Sequence, residues 1–123
     1  MIIGTICGIA GGYSMIGVGL TPSDLYFDQH VLFANWLFRF FFLAAICYTI
    51  IIYKSDLIET KYAIGYCIFA FLILFYIFLS ELGPDARENM SALYLQVIAQ
   101  KSILICFIIT IYSQTKGLES LVD

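Results

Sequence analysis

The chain has 123 residues, of which 62% are hydrophobic and 12% charged, and its formal net charge is −3. Soluble domains are nearer half apolar and a quarter charged, so the composition argues against a soluble globular protein. The six Lys and Arg residues form no basic face, which excludes nucleic acid as a partner. No linker divides the chain, and we predict a single domain over residues 1–123.

The apolar residues fall into four blocks of roughly 20 residues, the length that a helix needs to cross a hydrocarbon core. Such runs are too long for buried strands. The predicted class is therefore all-α, an integral membrane protein built as an antiparallel four-helix bundle. The helices are predicted at about 2–20, 31–53, 62–82 and 85–112.

The first predicted helix is rich in glycine. Gly4, Gly8 and Gly12 recur every four residues and would form one ridge, which lets a neighbouring helix approach closely in lipid. No Lys or Arg precedes the apolar run, and the run is longer than that of a secretory signal peptide. We therefore interpret this segment as a retained helix.

The fourth helix is predicted to begin at Asp85. Gly83 and Pro84 end the third helix, and Asp85 followed by Glu88 matches a capping box. The resulting helix is roughly 40 Å long, which exceeds the hydrocarbon thickness. Residues 113–123 are predicted to form a polar, frayed tail.

Positive charge is unequal between the two ends of the predicted helices. Three lysines fall on the side that holds both termini, against one arginine on the other side. The positive-inside rule therefore places both termini in the cytoplasm and loops 21–30 and 83–91 outside it. The lysines are Lys54, Lys61 and Lys116, and the arginine is Arg87.

Two cations lie within the predicted membrane segments. Arg39 and Lys101 are each roughly 13 Å from the outer boundary by helical rise, and charges at such depth usually face the bundle interior or a water-filled cavity. Two interpretations compete. In the first, which the acidic outer loops favour, both cations pair with Glu81, Asp24 or Asp28 and fasten the helices. In the second, they line an outward-opening pocket for an anionic group such as a lipid headgroup or carboxylate, which suits the planar fork of Arg. The predicted ligand-binding residues are Asn35, Arg39, Glu81, Gln96, Gln100 and Lys101.

A second polar cluster, Asp24, Asp28 and His30, lies in the first outer loop. Histidine with carboxylates is a possible metal-ligand set. One histidine cannot build the zinc centre of the multi-histidine membrane hydrolases, so we predict no metal. His30 is assigned instead to orienting the loop through a carboxylate hydrogen bond.

Each predicted helix carries one cysteine at a similar depth near its cytoplasmic end. A Cys₄ metal site would need four thiolates in hydrocarbon, which are very costly to charge, and no CxxC spacing supports it. We predict small, buried, reduced thiols and no cofactor. The four are Cys7, Cys47, Cys67 and Cys106.

The stretch Gly17-Val-Gly-Leu-Thr-Pro-Ser-Asp24, followed by His30 and Ala34, resembles a pattern in a family of six-helix membrane proteins. The family groups a bacterial and archaeal domain of unknown function with the Frag/DRAM-type proteins of eukaryotes. The resemblance implies that this chain corresponds to the last four of six helices and is part of a longer protein. It also implies that Asp24 and His30 occupy the family's loop positions, and it names no reaction.

The leading hypothesis is a non-enzymatic membrane protein, either a lipid- or small-anion-binding module or a subunit of a larger membrane assembly. The runner-up is a metal-dependent membrane hydrolase or transferase that uses Asp24, Asp28 and His30. A third hypothesis is a channel or transporter fragment. Because four helices leave little room for a pathway, this third hypothesis requires a homo-oligomer.

Overall fold

The computed structural model describes residues 2–56 and 58–119, and within these residues it contains four helices and no strand. All four helices are long and apolar enough to span a membrane. The all-helical class and the four apolar helices are therefore confirmed. The elements are α1 (Ile2–Leu20), α2 (Phe27–Tyr53), α3 (Lys61–Leu82) and α4 (Met90–Glu119).

The start of α4 differs from the prediction. The helix begins at Met90 because Asn89 caps it: the Asn89 side-chain oxygen accepts hydrogen bonds from the backbone N–H of Ser91, 3.0 Å away, and of Ala92, 3.1 Å away. The predicted capping box at Asp85 is wrong, since that carboxylate instead closes a short turn within the preceding loop.

Two further helix bounds lie beyond the predicted ones. α2 begins at Phe27 rather than at residue 31, so Phe27 and the three polar residues after it, which were assigned to the loop, belong to the helix. α4 continues to Glu119 rather than ending at residue 112. The predicted frayed tail is thus helical up to Glu119, and its remaining residues lie outside the described part of the chain.

The helices pack in chain order, α1 on α2, α2 on α3 and α3 on α4. Within the described residues, the backbones of non-consecutive helices stay apart, so the four helices form an open array and do not close into a ring. The core lies where α2, α3 and α4 meet, with Ile73 fully buried in it. Phe107 of α4 stacks on Phe41 of α2 with ring centroids 5.5 Å apart, which joins two helices through side chains alone.

The packing face of α1 is not the predicted glycine ridge. Gly4, Gly11 and Gly17 are buried against α2, and the first two are seven residues apart, which is about two helical turns. Outside their own helix, Gly8 and Gly12 have no atom within 4 Å of an added Cβ. The predicted ridge is therefore wrong at Gly8 and Gly12, where no neighbouring helix packs against the backbone.

Candidate functional site

Arg39 and Glu81 form an ion pair between α2 and α3, in which Arg39 Nη2 donates to Glu81 Oε1. Arg39 Nη1 donates to the backbone carbonyl oxygen of Asn35 at 3.1 Å, so the guanidinium is directed about one turn towards the amino end of α2. The two side chains are 41% and 49% exposed. The pair is therefore accessible from the surface of the helix array.

An apolar groove lies on the same face of α2 and α3 as this ion pair. Arg39 shares a helix face with Phe42 and Ile46, and Glu81 shares one with Leu74, because these residues are spaced by three, four or seven positions. The groove has a volume of about 230 Å³ and reaches roughly 16 Å along α2 from the level of Arg39. Its lining residues are Phe42, Ile46, Thr49, Ile50, Cys67, Ala70, Phe71 and Leu74.

The residues that line the groove were not predicted from the sequence. Each is apolar or weakly polar, so none stands out in an apolar chain. The sequence does indicate them through helical spacing, because positions 42, 46 and 50 lie on the same helix face as Arg39, and positions 74 and 67 lie on the same face as Glu81. The sequence does not state which two stripes face each other, and that depends on the packing of α2 on α3.

Gln100 does not reach the ion pair. Its side-chain nitrogen donates to the hydroxyl oxygen of Tyr76, 2.6 Å away, and this tyrosine belongs to the core. Further along the interface between α3 and α4, the Tyr66 hydroxyl donates to the side-chain oxygen of Gln114. These two phenol–amide pairs join α3 to α4, as expected of buried tyrosines, whose hydroxyl groups need a partner.

Lys101 is exposed on α4, the least buried of the four helices. Among the described residues it has no ion pair or hydrogen bond, and the backbone of α4 makes no close contact with that of α2. The prediction that Lys101 faces inward beside Arg39 is therefore wrong. Gln96 is half-buried and likewise has no hydrogen bond within the described part of the chain. Of the predicted residues, the structure joins Arg39, Glu81 and the main chain of Asn35.

The loop residues proposed as metal ligands are not brought together. His30 Nδ1 lies 2.7 Å from the Thr21 carbonyl oxygen and donates to it, so His30 orients the loop through a carbonyl group rather than the predicted carboxylate. Asp28 instead pairs with Arg87 at 3.2 Å, and Asp24 is exposed. Within residues 2–56 and 58–119, no three His, Cys, Asp or Glu side chains are placed to hold a metal ion. The four cysteines are free, half-buried thiols.

Comparison with known proteins adds nothing to this geometry. No family model, curated protein or solved structure matches the chain. The resemblance to the Frag/DRAM-type family stays a prediction. The function is therefore inferred from the arrangement of residues alone.

Proposed function

We propose that the four helices cross a membrane in alternating directions with both termini on the cytoplasmic side. Their length and hydropathy support insertion. The side-chain pairs support the alternation, because the partners of Tyr66 and Tyr76 along α3 are Gln114 and Gln100, in reverse order along α4, and the ring contacts of α2 with α3 reverse in the same way. The excess of lysine at one end supports the orientation.

We further propose that the protein binds a membrane phospholipid on the outer half of the α2–α3 face. The headgroup phosphate lies against the Arg39–Glu81 ion pair and one acyl chain lies in the groove below it. The observation that carries this proposal is the position of a half-exposed ion pair on the same face as an apolar groove. A charge at membrane depth is rare and usually serves a function or a partner.

The chemistry of Arg39 fits a phosphate group. A guanidinium has five N–H donors in a planar fork, and the hydrogen bonds to Asn35 and Glu81 each use one of its terminal nitrogens. Donors on these nitrogens therefore remain for a further acceptor. The side chain is directed towards the amino end of α2, which is the outer surface in the proposed orientation and the level at which headgroups lie.

The groove contributes fit rather than affinity. A lipid chain is already in an apolar medium, so its transfer into the groove gains no hydrophobic free energy, and only packing contacts change. The selectivity of such a site comes from its polar end. Loss of the Arg39 contact should therefore reduce binding more than small changes in the groove do.

The test is retention of a defined phospholipid by the purified protein in detergent, measured by native mass spectrometry. For Arg39→Met we expect a loss of about 1 kcal/mol, or roughly fivefold in affinity, after allowance for the exposure of the pair. Lys101→Met is the matched control, because it removes the same charge from a helix surface outside the site. Equal lipid retention by both variants would overturn the proposal.

A second variant separates binding from damage to the ion pair. Leu74→Trp fills the groove without changing any charge, whereas Ile64→Trp places the same bulk on an exposed part of α3 that does not line the groove. We expect lipid retention to fall only for Leu74→Trp, with similar melting temperatures for the two variants. Unchanged retention with a filled groove would exclude the groove as the lipid site.

A specific observation favours a second function, that of a subunit in a larger membrane assembly. Lys101 is exposed and without a partner among the described residues, in the helix with the least burial. A lysine at the centre of a membrane helix is disfavoured by roughly 2.5–3.5 kcal/mol on insertion scales, so a neighbouring helix with an acidic residue would stabilise it. Extraction into native-membrane discs tests this: the wild type should run as a larger complex that Lys101→Leu loses, and a monomeric wild type excludes it.

A further inference from the structure

The headgroup end of the proposed site is not simply cationic. Arg39 is neutralised by Glu81, and the two side chains are exposed to a similar degree, 41% and 49%. Arg39 engages Glu81 Oε1, and within the described residues Oε2 makes no hydrogen bond. The site thus presents one donor-rich positive group and one free carboxylate oxygen beside each other.

We infer that the site selects a zwitterionic phospholipid whose headgroup ends in a primary ammonium, as ethanolamine does. This inference rests on the proposed lipid-binding function. The phosphate accepts hydrogen bonds from the Arg39 guanidinium, and the ammonium donates to Glu81 Oε2. The headgroup dipole then lies antiparallel to the dipole of the ion pair, with each charge against its opposite.

Charge balance separates this headgroup from an anionic one. A phosphoglycerol headgroup brings a negative charge without a compensating positive charge, so it meets the Glu81 carboxylate as well as Arg39, and like charges in one site are unfavourable. A site meant for anionic lipid would leave its cation unpaired, which is the state of Lys101 on α4 and not of Arg39. The ion pair therefore favours a headgroup with both charges.

Hydrogen bonding separates ethanolamine from choline. An ammonium group has three N–H donors, and a charge-assisted hydrogen bond to a carboxylate is roughly twice as strong as a neutral one. A trimethylammonium group has no N–H to donate and can satisfy Glu81 only through charge. We therefore expect ethanolamine lipid to bind more tightly than choline lipid with the same acyl chains.

The experiment is a competition between phosphatidylethanolamine, phosphatidylcholine and phosphatidylglycerol with identical acyl chains, read by native mass spectrometry of the full chain. The wild type is expected to prefer ethanolamine over glycerol lipid by about tenfold, and over choline lipid by a smaller factor. Glu81→Gln leaves a net positive site, so the preference should change to the anionic lipid. Lys101→Gln removes a charge elsewhere and should leave the wild-type order unchanged.

A charge-swapped double variant, Arg39→Glu with Glu81→Arg, keeps the ion pair and its neutrality in case the single variant is unstable. Its preference for ethanolamine over glycerol lipid should persist. A wild type that prefers glycerol lipid, or an order that Glu81→Gln does not change, would overturn the headgroup assignment while leaving lipid binding intact. Equal binding of ethanolamine and choline lipids overturns the hydrogen bond to Glu81. A wild type that retains no lipid at all overturns the proposed function itself.

Discussion

Replacement of Gly17 by alanine should destabilise the contact between α1 and α2. A Cβ at this position would overlap the ring of Phe33, including Cγ, the ring carbon nearest the backbone. The whole Phe33 side chain must therefore move, because a shift of its far end does not make room. Overpacking of this kind costs about 1–3 kcal/mol, and alanine offsets roughly 0.5–1 kcal/mol of this through helix propensity. The expected net loss in the free energy of unfolding is about 1 kcal/mol.

Gly12→Ala is the matched control for this change. It is the same substitution in the same helix, at a position where an added Cβ meets no atom within 4 Å outside its own helix. It should be stabilised by the higher helix propensity of alanine alone. The difference between the two variants then isolates the overpacking term, and we expect about 1–3 kcal/mol.

The assay is unfolding by sodium dodecyl sulfate in mixed micelles, followed by the fluorescence of Trp36. This is the single tryptophan of the chain, and it lies on α2 three residues from Phe33. In a Phe33→Leu background the cost of Gly17→Ala should fall, because the obstructing ring is gone. Equal unfolding free energies for the two glycine variants, or greater damage from Gly12→Ala, would refute the packing of α1 described here.

Three further experiments test other parts of the structure. A double-mutant cycle of Tyr76→Phe and Gln100→Leu should give a coupling of about 0.5–1 kcal/mol in the free energy of unfolding, and no coupling would contradict their hydrogen bond. A similar cycle that neutralises Arg87 and Asp28 should give a coupling of less than about 1 kcal/mol, because the pair is exposed. This coupling should disappear in high salt. Lys101→Leu should change the free energy of unfolding in detergent by no more than about 0.5 kcal/mol relative to the wild type. It should also favour insertion of α4 in a glycosylation-mapping assay. A marked loss of stability would show that Lys101 makes inward contacts.

The four helices were predictable because their apolar runs have the length of a membrane span. The bounds of α1 were predicted correctly, at residues 2–20. The start of α2 was not, since hydropathy marks where a continuous apolar run begins, and three of the first four residues of α2 are polar although helical. The start of α4 was missed because both Asp85 and Asn89 are good capping residues, and only the observed hydrogen bonds of Asn89 decide between them.

The glycines of α1 show why a pattern that is correct in kind can fail in detail. Small residues at helical spacing predicted close packing, and α1 does pack closely on α2. Spacings of four and of seven residues are both present in the same helix, and the two rows diverge, since a step of four turns about 40° one way around the helix and a step of seven about 20° the other way. The choice depends on the side chains opposite, and the rings of Phe33 and Phe41 fit the spaces at Gly17 and Gly11.

The position of Lys101 follows from an elementary property of the helix. Gln100 and Lys101 are adjacent, so their side chains diverge by about 100° around α4, and they cannot both face α3. Gln100 bonds to Tyr76 in the core, which turns Lys101 to the outside. The six predicted residues therefore had to separate, and the ionic part of the site reduces to Arg39 and Glu81. That pair is neutral overall, which is why the headgroup expected there carries both charges rather than one.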